Sequence, residues 1–352
     1  MNYGTSRGWL SSGSWMRLLS SLSLFCCLLC STLAGGVTAQ TSAGQEGDVI
    51  RIDTDVTNLL FTAADKRNRF ITTLREEDIR VLEDGVPQQL FTFQRETDRL
   101  LSIAFLIDVS ASEERTLPQE KAAVRSFVET VIRSRKDEAA IIPFTGNAFL
   151  EQALTGNVTG VYQALNRVDV ALPSYLGSGP QISGIASGPG VAVPREGSTA
   201  IWDAITVTAS EVLARSPGKK RRAIILLTDG QDTSSRLTRS AAIDQAIAAE
   251  AVIYAIGIGD SKHFEGVNGG ALRTVAERTG GRAFFPKKEA DLTAAFQQIE
   301  QELRSQYLVA YSSTNKKRDG AYRQMRIEIT NPELRREQLK LRYRPGYFAK
   351  SG

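Results

Sequence analysis

Four short stretches, at 101–107, 139–144, 223–227 and 251–256, are apolar almost throughout. A strand with one face in water alternates apolar and polar residues, so runs without alternation need cover on both faces. Segments with helical spacing lie between and after them, at 117–133, 200–214, 240–250, 272–279 and 291–303. Apolar strands separated by helices indicate an α/β fold with a doubly wound, mostly parallel sheet between two helical layers. The span from 100 to 304 suits one such domain.

The flanks read differently. From 47 to 99 short runs alternate with period two, at 49–52, 59–61, 70–72, 79–82 and 89–93, and Glu83-Asp84-Gly85-Val86-Pro87 supplies a turn. This pattern predicts a small N-terminal β domain over 40–99, too small to bury much core alone and expected to lean on its neighbour. β-like runs return at 307–311, 326–329 and 339–343, in a C-terminal β segment over 305–352. Residues 303–352 carry twelve basic and four acidic side chains, a local charge of +8. A solvated strand face explains such a run, and a docking patch for an anionic polymer or partner is the sharper alternative. A Gly/Pro/Ser-rich insertion at 173–197 interrupts the α/β domain, and loops of that length are functional or disordered.

At the N-terminus, Arg7 and Arg17 precede a charge-free apolar stretch at 18–33, followed by Gly35-Gly36-Val37-Thr38-Ala39. Basic, then apolar, then small is the order of a secretory signal peptide, expected to end at Ala39. Cys26, Cys27 and Cys30 all fall inside it, so the processed chain would have no disulfide and no thiolate metal site. The expected location is exported, periplasmic or extracellular, with membrane contact only through the export signal. The apolar share of 42% and charged share of 23% exclude wholesale disorder, and a net charge of +4 is too mild to argue for nucleic acid.

Chemistry gathers where strands end. Asp108-Val109-Ser110-Ala111-Ser112 follows the first apolar run, Thr228-Asp229-Gly230-Gln231-Asp232 follows the third, and Gly197-Ser198-Thr199-Ala200 opens a helix. In open α/β sheets ligands bind at the carboxyl ends of strands, beside a topological switch point. Asp108, Asp229, Ser110, Ser112 and Thr199 are all hard oxygen donors, the set that suits a divalent cation. Mg²⁺ is the expected ion, with Mn²⁺ and Ca²⁺ as alternatives. Two carboxylates balance its charge, and an acidic group of a partner would fill an open position. Asp203 and Asp232 lie nearby and read as a helix-face hydrogen-bonding residue and a turn residue. Helix and turn capping by Ser110, Ser112 and Thr199 is the competing explanation.

This arrangement resembles the von Willebrand factor A domain and its metal-ion-dependent adhesion site, over roughly 101–304. Asp108, Ser110 and Ser112 match the Asp-x-Ser-x-Ser element, Thr199 the isolated threonine and Asp229 the later aspartate. The resemblance implies direct or near-direct ligation by Ser110, Ser112 and Thr199, with the aspartates closing the shell partly through water. Leu82-Glu83-Asp84-Gly85-Val86-Pro87-Gln88, Arg304-Ser305-Gln306-Tyr307 and Arg344-Pro345-Gly346-Tyr347 are similar to segments of a bacterial exported "VWFA-related" group. The chain departs from the family where Glu113-Glu114 follow Ser112, and where the insertion ends just before Thr199.

Enzyme readings find no support in the sequence. Gly4-Thr5-Ser6-Arg7-Gly8 fits a nucleophile-elbow pattern but lies in the leader. His263, the only histidine, sits in a polar loop without a nucleophile. Phosphatases that use a strand-end aspartate carry a second one two positions on, where this chain has Ser110. The expected function is therefore a non-enzymatic, cation-dependent binding or adhesion module for a protein or cell-envelope ligand presenting an acidic group. Assembly through the β flanks, with the metal site occupied or occluded, is the alternative.

Overall fold

The computed structural model describes residues 56–170, 198–216, 220–258 and 268–351. The leader, the run at 49–52, the insertion at 173–197 and His263 lie outside the described residues. The chain begins with β1 (Val56–Ala64), β2 (Ile79–Glu83), β3 (Val86–Gln88) and β4 (Leu90–Glu96). It continues through β5 (Leu101–Asp108), α1 (Leu117–Val131), β6 (Glu138–Phe144), β7 (Gln152–Thr155) and α2 (Val158–Arg167). Next come α3 (Ile201–Val207), β8 (Arg221–Thr228), α4 (Arg239–Ala248) and β9 (Ala251–Gly257). Then follow α5 (Gly269–Arg278), β10 (Arg282–Phe284) and α6 (Glu289–Arg304). The chain closes with β11 (Gln306–Ser312), β12 (Tyr322–Ile329), α7 (Pro332–Arg336), β13 (Lys340–Tyr343) and β14 (Gly346–Phe348).

Six strands form one sheet in the order β10-β9-β8-β5-β6-β7. All neighbours are parallel except β7, which pairs antiparallel with β6 at the edge. The fold is therefore α/β with a doubly wound, mostly parallel sheet. Strand order runs outward from the centre in both directions, so the switch point lies between β5 and β8.

Every residue of β5 is buried, as its lack of alternation requires. Ile103, Phe105 and Ile107 point to the layer of α1, α2 and α6, where Phe127 meets Phe105 edge-on at 5.8 Å. Ala104 and Leu106 point the other way, to Ile205, Ile243 and Leu272 of α3, α4 and α5. Each fully buried Leu, Ile or Phe contributes about 1.5–3 kcal/mol relative to exposure. At the amino end of β5, Asp137 locks the sheet to α1 and α6. It accepts from the Leu101 N–H at 2.8 Å, and from Arg133 and Arg304 at 2.7 and 3.1 Å.

The two β flanks pair with each other. β1 lies between β11 and β13 in one sheet, ordered β13-β1-β11-β4, and β2 lies between β12 and β3 in another. A separate core forms around Leu59, Phe61, Val81, Tyr307 and Tyr311. Within it Glu83 is 2% exposed and accepts hydrogen bonds from the Tyr311 and Tyr347 hydroxyls at 2.8 and 2.9 Å. Two expectations change in detail. Residues 70–72 make only a bridge from Phe70 to Ala64, because Tyr307 Oη takes up the local backbone by accepting from Leu74 N–H and donating to Ile71 O. The helix read over 200–214 becomes π-helical at Thr208–Leu213. There the Thr206 and Ser210 hydroxyls donate back to carbonyls four residues earlier, which loosens a helical ladder.

Candidate metal centre

β5 ends at Asp108, and the next N–H, of Val109, still bonds across to Phe144 O at 3.0 Å. The chain then turns back. Ser110 N–H donates to Asp108 Oδ1 at 3.0 Å, and a 3-10 turn at Ala111–Glu113 brings the Ser110 and Ser112 hydroxyls within 3.0 Å of each other. One tight turn thus gathers Asp108, Ser110 and Ser112. β8 ends alongside at Thr228, whose hydroxyl donates to Asp108 Oδ2 at 2.6 Å. Gly230 has φ +82° and donates its N–H to Thr228 Oγ1 at 3.1 Å, so the turn reverses immediately after Asp229.

Thr199 reaches this rim from the loop before α3, and its recorded hydrogen bonds run through its backbone. Its N–H donates to Thr233 Oγ1 at 2.8 Å, and its carbonyl accepts from the N–H groups of Thr233 and Ser234. It is therefore tied to the loop that carries Asp229. Asp232 accepts from Ile201 N–H at 2.8 Å and from the Ser235 hydroxyl, and Asp203 accepts from Arg236 and Leu237 N–H. Both aspartates are engaged in fixing α3 to that loop.

Asp108, Glu113 and Asp229 each place one carboxylate oxygen within 4.8 Å of the other two. Glu113 is the member that the sequence treated only as a departure. It is 1% exposed; Thr116 Oγ1 donates to its Oε2, and its Oε1 makes no hydrogen bond of good geometry among the described residues. Residues three apart eclipse in a 3-10 turn, so Ser110 and Glu113 fall on the same side. That spacing was the available signal. Behind it Glu120 is 0% exposed, and among the described residues neither of its carboxylate oxygens makes a hydrogen bond of good geometry.

Burial dominates the electrostatics. Loss of water raises the Asp108 carboxyl to about 6, against the pull of hydrogen bonds from Thr228 and Ser110, with the Asp229 charge adding to the rise. Glu113 is pushed up to about 7 chiefly by burial, with the Asp108 and Asp229 charges adding to the rise. Glu120 is raised by burial and then by Glu113. Crowded carboxylates, two serine hydroxyls and a buried carboxylate oxygen without a hydrogen bond of good geometry make a donor set that fits a hard divalent cation.

Residues 103–231 match one family profile described as von Willebrand factor type A domain, and residues 191–300 match a second of the same description. The chain belongs to the von Willebrand factor type A domain family. Domains of this family generally mediate metal-dependent adhesion, bind a divalent cation at a metal-ion-dependent adhesion site and often take protein ligands.

Among solved structures, proximal thread matrix protein 1 from the mussel byssus is 17% identical, with 63% of this chain and 51% of that chain covered and a TM-score of 0.46. A form of that protein with a zinc-occupied MIDAS motif is 16% identical over 63% of this chain and 50% of its own, with a TM-score of 0.44. BatB from Bacteroides thetaiotaomicron is 19% identical over 58% of this chain and 100% of its own, with a TM-score of 0.43. The chain spans about half the length of the byssus protein. No curated relative matches it. Among the described residues of this A-domain protein, no helix is long and apolar enough to cross a membrane.

Proposed function

We propose that this A-domain protein is an exported, non-enzymatic binding module that engages a protein or cell-envelope ligand through a divalent cation, with Mg²⁺ as the ion. The observation that carries the reading is the meeting of three carboxylate oxygens within 4.8 Å at the switch point of the sheet. Asp108, Ser110, Ser112, Thr199 and Asp229 would hold the ion, with Glu113 as an additional carboxylate. A bound dication supplies Lewis-acid attraction for an acidic oxygen of the partner. The protein's own part is to hold the donors in place. Thr228 fixes Asp108, the 3-10 turn fixes both serines, and the loop at 229–235 fixes Thr199. Ser112 is exposed and Asp229 half-buried, which supports approach from that side.

The basic, apolar and small order at 1–39 supports export, and its removal would leave the A domain at 100–304 between segments at 40–99 and 305–352 whose strands share two sheets. A second reading, a structural role with the centre closed from within, draws on the inward Glu113 carboxylate. Titration calorimetry with Mg²⁺ and Mn²⁺ on wild type and Asp108→Ala tests the centre, and binding to envelope extract in Mg²⁺ or EDTA tests its use. Heat of binding lost in Asp108→Ala, with capture abolished by EDTA and by the substitution, is the expected result. Capture indifferent to chelator would transfer support to the structural role.

A further inference from the structure

At the amino ends of the sheet strands, opposite Asp108 and Asp229, the A domain meets the flanking strands around two adjoining cavities. Arg99, Lys220, Arg221, Arg342 and Arg344 line the inner one, of about 70 Å³. Lys316, Lys317, Arg318, Arg323 and Lys350 line the outer one, of about 410 Å³, together with Arg222. Asn58, Ile247, Glu250 and Arg344 belong to both linings, so the two form one trough. Glu250 is the single acidic side chain in either lining among the described residues.

Ion pairs hold several members of the lining. Lys220 pairs with Glu138 at 2.7 Å, Arg323 with Asp319 at 2.8 Å and Arg344 with Glu250 at 3.8 Å. Two of the lining guanidinium groups are held in place by the fold, since Arg221 and Arg323 are only 3% and 7% exposed. Arg221 gives one N–H to Leu303 O, while its Nε and Nη2 and the Nη1 of Arg342 have no partner among the described residues. A buried guanidinium has little water to screen its charge, which strengthens the pull of the trough on an anion.

We propose that this trough binds a linear, phosphate-bearing polyanion, independently of the cation centre. Most of the lining cations are arginines, whose planar fork matches phosphate oxygens in pairs. The narrow inner cavity suits one terminal phosphate, and the wider outer one suits the groups that follow. A flat anionic bilayer would not reach guanidinium groups recessed this far. The basic surplus of the C-terminal segment then has a use: the fold brings it against Arg99 and the residues at 220–222, which lie far from it in the chain.

The test is fluorescence anisotropy of the full chain with end-labelled short-chain polyphosphate, in EDTA so that the cation centre is silent. Saturable binding that weakens with salt is expected, with affinity about tenfold or more lower in the Lys317→Glu/Arg318→Glu pair. The control pair Lys66→Glu/Arg67→Glu alters equally exposed residues outside the trough and should leave affinity unchanged. Thermal melts confirm that both variants fold. Absence of binding, equal losses in the two pairs, or tighter binding to poly-L-glutamate or anionic vesicles than to polyphosphate would each overturn the proposal.

Discussion

The Thr228 hydroxyl donates to Asp108 Oδ2 at 2.6 Å, across the seam between two strands whose residues stand 120 positions apart in the chain. Both side chains are fully buried, so neither partner has water as a substitute. Thr228→Val keeps the shape and removes the donor. We expect a loss of about 1 kcal/mol in stability and about tenfold in cation affinity, read by denaturant melts and Mn²⁺ titration. Unchanged affinity would mean that Asp108 needs no such anchoring.

Glu113→Gln separates two roles of the third carboxylate. Removing one negative charge from a buried cluster should stabilise the cation-free protein, while the amide oxygen can still accept from Thr116. Cation affinity should fall by about tenfold if Glu113 faces the ion. Calorimetry in EDTA and in Mn²⁺ reads both quantities, and a rise in affinity would show Glu113 to be an obstacle rather than a donor.

Stability of the cation-free protein should depend on pH between about 4 and 7. In the fold Asp108 titrates near 6 and Glu113 near 7, above their unfolded values of roughly 4. The folded state therefore holds these protons more tightly. Their contribution is full below about pH 4 and is lost as pH rises through the two folded values. In EDTA the melting temperature should drop from about pH 5 to about pH 8, and Mg²⁺ should raise it more at the higher pH. An equal Mg²⁺ effect at both would place cation binding away from these carboxylates.

Asp137→Ala tests the other end of β5. The hydrogen bonds from Arg133, Leu101 and Arg304 outweigh burial and hold this carboxyl below the usual range. Its removal strips a partner from two arginines and from the first N–H of β5, and should cost about 3–5 kcal/mol in denaturant unfolding. Cation affinity of the folded fraction should not change, since Asp137 lies at the opposite end of the strand from the acidic cluster.

Gly230→Ala probes the turn behind Asp229. Its φ of +82° disfavours a side chain, and a Cβ would stand 3.0 Å from Leu272 Cγ. A loss of about 1–2 kcal/mol is expected, together with weaker cation binding as the Asp229 turn shifts. A variant as stable as wild type would show that the turn can relax.

The central sheet was legible because its signal is local. A strand buried on both faces must be apolar along its length, and 101–107, 139–144, 223–227 and 251–256 all are. The edge strands β7 and β10 were not, being four and three residues long with no such run. The flanking strands could be seen as strands but not as partners. Pairing β1 with β11 joins residues such as Thr57 and Tyr311, and nothing near either one encodes the other.

By itself the sequence determined the central strands and most of the helices that cover them, where polar turns end those strands, and which oxygen-bearing side chains stand at their ends. Periodicity and turn chemistry act over a few residues and survive without a fold. Tertiary structure alone decided that Glu113 turns inward beside Asp108 and Asp229, that Thr228 fastens Asp108, and that distant arginines share one trough. Those relations depend on how strands order themselves in a sheet, and that is settled by burying surface between parts of the chain that carry no local record of each other.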